Sequence, residues 1–303
     1  MASSSSSNPA APRGSGLPQA FAAYAIWGLL PIYLHATRGV PAAEFVGWRV
    51  VLTVPVCLGL ILATGQAGEL LGVLRDPRRL AALGLSAALI GANWLIYIAA
   101  IQAGHVLATS MGYYINPLLN ILLGTLFLGE RLAPRQWLAV AVAAAGVMVL
   151  ASGAQTAVWL SLSLAATFGF YGLVRKLVPV SAVTGLTVET LVLLPVGLAV
   201  VGWYALQPAG TSLTHGPGTA ALIIAAGPIT AVPLLLFAAA TRRLPYATIG
   251  FIQFMSPTLV FIQGIWLFHE PINQRQLVCF ALIWTACAIY CWDLLLRRRQ
   301  AAA

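Results

Sequence analysis

Residues 113–136 read YYINPLLNILLGTLFLGERLAPRQ, and residues 253–276 read QFMSPTLVFIQGIWLFHEPINQRQ. Laid over one another at an offset of 140 residues, they align Pro117 with Pro257, Gly124 with Gly264, Glu130 with Glu270 and Gln136 with Gln276. Aromatic residues recur at Tyr114 and Phe254, and Pro55 meets Pro195 at the same offset. Both stretches are apolar for about the twenty residues that a helix needs to cross a bilayer. The repeated unit is therefore a membrane-spanning one.

The rest of the 303-residue chain has the same character. It is 60% hydrophobic and only 8% charged, with a mean hydropathy of +0.90. Soluble domains carry roughly 25% charge, so most of this surface must face lipid. Charges and polar breaks delimit ten spans, at about 17–36, 43–64, 80–101, 105–128, 134–152, 156–174, 183–206, 219–240, 246–268 and 274–296. The fold class expected is an all-α integral membrane protein of ten transmembrane helices.

Sixteen Lys and Arg give a net charge of +9. They lie in short clusters between apolar runs, which argues for membrane topology and against nucleic acid. With the N-terminus in the cytoplasm, thirteen of the sixteen fall inside, Arg38 and Arg275 fall outside, and Arg49 lies within a span. That bias predicts both termini in the cytoplasm, and the expected location is the bacterial inner (plasma) membrane. Five spans per repeat is an odd number, so the second half must enter the bilayer from the opposite side. The expected organisation is a disordered tail at 1–16, a five-helix repeat at 17–152, an inverted copy at 153–296 and a basic tail at 297–303. Inverted repeats characterise alternating-access carriers, which hold substrate near the midplane between the halves.

Charges inside spans are costly and tend to mark function. Arg49 and Glu189 each lie about six residues inside their spans and are repeat mates. Facing a central cavity, Arg49 would attract an anionic group and Glu189 a cation or proton. The competing reading is that each pins helix packing or snorkels to the interface. Their depths differ by about 12 Å, which argues against a direct salt bridge. Asn93, Trp94 and Tyr97 share one helical face, as do Tyr24 and Trp27, and Tyr113, Tyr114 and Asn116 crowd the fourth span. Gln253 stands where Tyr113 does in the other repeat. Aromatic walls with a few amides suit an amphipathic or aromatic substrate, although Trp and Tyr also form interfacial belts, the expected place of Trp137 and Trp292. Pro117 and Pro257 remove a backbone bond mid-helix and are candidate hinges. Gly129-Glu130-Arg131 and His269-Glu270, at membrane edges, are read as helix ends and caps. Small residues in the fifth span (Ala139, Ala141, Ala143, Ala144, Ala145 and Gly146) favour close packing, with a homodimer as an expected partner arrangement.

Cys57, Cys279, Cys287 and Cys291 all sit in apolar runs without metal spacing, so no metal or cofactor is expected. A membrane-embedded lipid-modifying enzyme is the alternative function. It needs clustered acids, His or Ser nucleophiles that seven scattered carboxylates do not supply. No Walker A pattern is present, so an ion gradient or solute exchange would have to supply the energy.

Further motifs run along most of the chain: residues 24–33 (YAIWGLLPIY), Asn93-Trp94 with Tyr97, Gly104-His105, Gly112-Tyr113-Tyr114-Ile115-Asn116-Pro117, residues 126–131 (LFLGER), Phe170-Tyr171-Gly172-Leu173-Val174-Arg175-Lys176 and Glu189-Thr190-Leu191. Together they resemble the EamA branch of the drug/metabolite transporter superfamily, specifically RarD-type permeases, over about residues 17–292. The resemblance implies ten helices in an inverted 5+5 arrangement, cytoplasmic termini and export or exchange of small metabolites or drugs. It also adds Tyr171 to the candidate substrate contacts. Two departures stand out. Ala108 replaces an acidic residue usual in relatives, and Trp48 replaces a histidine before Arg49.

Overall fold

The computed structural model describes residues 16–102, 106–152, 158–267 and 274–302. Those residues form α1 (Leu17–Ala36), α2 (Ala42–Ala63), α3 (Ala67–Arg75), α4 (Pro77–Gln102), α5 (Val106–Phe127), α6 (Pro134–Ala151), α7 (Val158–Leu177), α8 (Ala182–Ala205), a 3-10 turn (Ser212–Thr214), α9 (Pro217–Thr241), α10 (Tyr246–Gln253), α11 (Met255–Trp266) and α12 (Gln274–Ala302). Every described element is helical. Seven of them (α1, α2, α4, α6, α8, α9 and α12) are long and apolar enough to cross a membrane, and the Tyr113–Phe127 part of α5 is apolar but shorter.

Helix ends follow the local chemistry. Ser181 caps α8, its hydroxyl accepting from the Thr184 N–H. At α6, Pro134 opens the first turn, and the Gln136 side chain accepts from the Ala133 N–H. Gly129 ends the turn after α5 at φ +64°, a left-handed conformation suited to glycine. The chain reverses there, and the Glu130 N–H returns to the Gly124 carbonyl.

Two features depart from the expected spans. Residues 67–75, which lie between the expected spans 43–64 and 80–101, form the short helix α3. The expected continuous span 246–268 is broken at Phe254 into α10 and α11. Pro257 explains the break, because it lacks an N–H and its ring crowds the carbonyl four residues earlier, that of Gln253. Pro117 sits inside an unbroken α5. The two repeat-related prolines thus have different backbone consequences.

In lipid, association relies on close backbone approach more than on apolar burial. Gly47 and Gly197 meet across the α2–α8 crossing, where a Cβ on either would lie 3.2–3.3 Å from the other's carbonyl oxygen. Gly227 brings α9 against α2 so closely that a Cβ would stand 2.4 Å from the Leu52 oxygen. The main helix neighbours are α2–α8, α5–α10, α6–α12, α4–α7 with α1–α9, α5–α7 with α1–α11, and α2–α9 with α4–α8. Buried Ala139, Ala143 and Gly146 line the α6 face that meets α12, with Gly146 close to Cys279 and Leu282. Those three small residues are used within the chain, while Ala141 of the same helix is exposed and Ala144 and Ala145 are half-buried. Large apolar side chains such as Trp159, Trp266 and Leu62 point outward, as a lipid-facing surface requires.

Candidate functional site

Arg49 lies seven residues beyond the start of α2 at Ala42, roughly 10 Å along the helix axis at 1.5 Å per residue. Its side chain turns into the bundle. Nε donates to the Thr230 hydroxyl in the middle of α9 at 3.0 Å, and the guanidinium carbon stands 4.7 Å from the Trp94 ring centroid. The phenols of Tyr33, Tyr97 and Tyr113 lie within its electrostatic reach. Tyr97 and Tyr113 pack edge to face, with ring centroids 5.6 Å apart. Tyr113 keeps 38% of its surface exposed although it faces these neighbours, and Arg49, Tyr33 and Tyr97 are half-buried. Side chains of α1, α2, α4, α5 and α9 thus line one cleft. Among the described residues, Arg49 has no acidic partner.

An aromatic stack adjoins it. Trp27 meets Phe168 at 5.5 Å and Phe237 at 5.6 Å, Phe168 meets Phe237 at 5.4 Å, and Tyr171 stacks on Phe237 at 6.0 Å. Tyr24 packs on Trp27 and donates to Gln253 Oε1 at 3.4 Å. The same oxygen accepts from Asn120 Nδ2 at 2.6 Å. Asn93 is half-buried, with its amide nitrogen bound to the Leu164 carbonyl and the Thr167 hydroxyl.

Glu189 occupies different ground. It is 1% exposed, paired with Arg175 at 3.6 Å, and accepts a hydrogen bond from the Ser86 hydroxyl. Arg175 also donates to the Ala182 carbonyl. The sequence reading puts Arg175 in an inside loop, beyond a span ending at 174. The structure carries α7 to Leu177 and buries the arginine. Glu189 Oε2 and the Tyr171 hydroxyl have no hydrogen-bond partner among the described residues, nor has Asn116 Oδ1. Tyr114 stands apart from the cleft, edge-on to Phe280 of α12 at 5.7 Å. Trp48 is bound to Glu44 and Thr211. His269, Glu270 and the surroundings of Ala108 lie outside the described residues.

The structure thus brings together Arg49, Trp94, Tyr97 and Tyr113, and separately Tyr24, Trp27, Tyr171 and Gln253. Sequence reasoning missed Tyr33, Thr230, Asn120 and Arg175. A lone threonine inside the apolar run of α9 and an asparagine within α5 were the available signals.

Glu130 is a cap, but for a distant helix. Its carboxylate accepts from the Tyr246 and Ala247 N–H groups that open α10, with Lys176 Nζ 3.9 Å away. Gly124 leaves room for it, since a Cβ there would sit 2.8 Å from Glu130 Oε2. Lys176 donates to the Thr241 and Leu244 carbonyls at 2.9 and 2.6 Å, so both sides of the α9–α10 turn are held. Glu69, on α3, accepts from the Ser181 N–H and the Thr184 hydroxyl, both at 2.8 Å. Burial works to raise its pKa, but the hydrogen bonds from Ser181 and Thr184 and the charge of Arg242 outweigh it, and the carboxyl sits below its ordinary range.

Fold and cleft together define a multi-pass, all-helical membrane protein with a polar, aromatic interior. Residues 14–152 match the EamA-like transporter family. Along 271 residues the chain is 45% identical to an uncharacterized transporter of Pseudomonas aeruginosa, covering 89% of this chain and 91% of that one. It is 41% identical over 287 residues to Protein RarD of Escherichia coli, covering 94% and 96%. The chain belongs to the EamA-like transporter family, as a RarD-type permease. A solved crystal structure shares the fold at a TM-score of 0.71, with 19% identity, over 92% of this chain and 97% of that one.

Proposed function

We propose that the protein is a secondary carrier that moves a small organic metabolite or drug across the bacterial inner membrane by alternating access. In this reading α1, α2, α4, α5 and α6 form one repeat, and α7, α8, α9, α10–α11 and α12 form its inverted copy. One observation carries it: the main helix neighbours are unchanged when the two sets are exchanged. The α4–α7 contact becomes α9–α1, α5–α7 becomes α11–α1, and α2–α9 becomes α8–α4, while α2–α8, α5–α10 and α6–α12 map onto themselves. The Arg49 cleft lies among helices of both repeats, where such carriers hold substrate. Transporter names among the relatives support the same class.

With cytoplasmic termini, Arg49 is toward the outer side and the Trp27–Phe168–Phe237 stack closes the inner side. The α9–α10 turn, held by Glu130 and Lys176, is then a cytoplasmic contact that must loosen for inward opening. Solute counterflow into proteoliposomes tests the reading. Saturable exchange of at least one small organic solute, abolished by crosslinking α5 to α10, is expected. No exchange across a broad panel of anionic, neutral and cationic metabolites would reject it.

A further inference from the structure

We infer that the cleft selects a small aromatic or amphipathic monocarboxylate, held through Arg49. This rests on the carrier reading above and names the chemical class of its substrate.

The argument begins with charge. Arg175 is neutralised by Glu189 at 3.6 Å, whereas the neighbours of Arg49 among the described residues are neutral, namely the Thr230 hydroxyl, the Trp94 ring and the phenols of Tyr33, Tyr97 and Tyr113. A cation held inside a bundle without a counter-ion favours an anionic ligand and disfavours a cationic one. Among the described residues Arg49 is the one such charge facing these aromatic side chains, so a monoanion is matched and a dianion is left uncompensated.

Geometry narrows the class. Nε is committed to Thr230, and the indole of Trp94 covers the group. The two terminal nitrogens make no hydrogen bond to the described residues, and they form the planar fork that a carboxylate meets with two parallel hydrogen bonds. Beside that fork, the Tyr97–Tyr113 pair offers an aromatic wall, and Tyr113 is open enough to be touched. The carboxylate end and the apolar body of an aryl acid therefore each find a surface suited to them.

Binding to the purified protein in nanodiscs tests this with matched probes: phenylacetate, 3-phenylpropionate and indole-3-acetate, each against its own carboxamide. The wild type is expected to bind at least one acid on the order of tenfold more tightly than its amide. Arg49→Gln, which keeps polarity but loses charge, should bring that pair to within about twofold. Equal or tighter binding of the amides overturns the inference, and so does a preference that survives Arg49→Gln or an absence of saturable binding by every acid. The acid–amide comparison in the wild type needs no variant, so misfolding of Arg49→Gln cannot hide the answer. Counterflow separates the two claims. Acid-selective binding without any flux removes the carrier and leaves the site. Flux of neutral or cationic solutes that Arg49→Gln does not alter removes the anion site and leaves the carrier.

Discussion

Arg49 and Glu189 stand 140 residues apart, the offset at which the sequence echoes itself, yet the structure gives them opposite situations. The side chains of Glu189 and Arg175 are each about 1% exposed and form a buried ion pair. Removing one partner leaves an uncompensated buried charge, which costs about 3–5 kcal/mol. Glu189→Ala and Arg175→Ala should each lower the thermal unfolding temperature in nanodiscs markedly, and the double change Arg175→Met with Glu189→Leu should recover most of the loss. A double variant no more stable than the singles would show that the pair is not the cause. Arg49 predicts the reverse. A mid-span arginine costs roughly 2.5–3.5 kcal/mol on insertion scales, while a cation–π contact of about 0.5–2 and one hydrogen bond of about 1 offset only part of it. Arg49→Gln should leave stability unchanged or raised, the signature of a residue kept for binding.

At the scale of elements, the α10–α11 break and the caps carry the predictions. Pro257→Ala restores an N–H that can reach the Gln253 carbonyl, so α10 and α11 should fuse into one helix. Hydrogen–deuterium exchange would report it as slow exchange at residues 254–258, with reduced solute flux. Pro117→Ala, in a helix that is already continuous, should alter exchange far less. Glu130→Gln replaces two charge-assisted bonds to the start of α10 with weaker ones and should cost about 1–2 kcal/mol. Gly124→Ala, crowding the same carboxylate, should act in the same direction in the same unfolding assay.

Across the whole molecule, Glu69 ties α3 to the start of α8 outside the apolar spans. Its carboxyl titrates lower in the folded state than in the unfolded one. Its contribution is therefore complete above the unfolded carboxylate pKa, and it is lost as the pH falls through the lower folded value. Unfolding measured from pH 7 down to pH 3 should show an acid-side loss that Glu69→Gln abolishes. An unchanged profile in that variant would assign the loss to other groups.

Composition, charge spacing and the 140-residue echo determined that this chain crosses a membrane as helices, and roughly where each helix starts, because the bilayer filters sequence by length and apolarity alone. They also singled out Arg49, since a charge in an apolar run is visible without knowing its surroundings. Only the tertiary structure decided what each charge meets. Arg175 reads as the edge of a span until α7 runs on to Leu177 and delivers it to Glu189. Glu130 reads as the end of its own helix until the fold sets it under α10, 116 residues away. Thr230 shows in the sequence only as a polar residue in an apolar run, and Tyr33 not even as that, because a hydroxyl in an apolar helix acquires a role only from the helix packed against it.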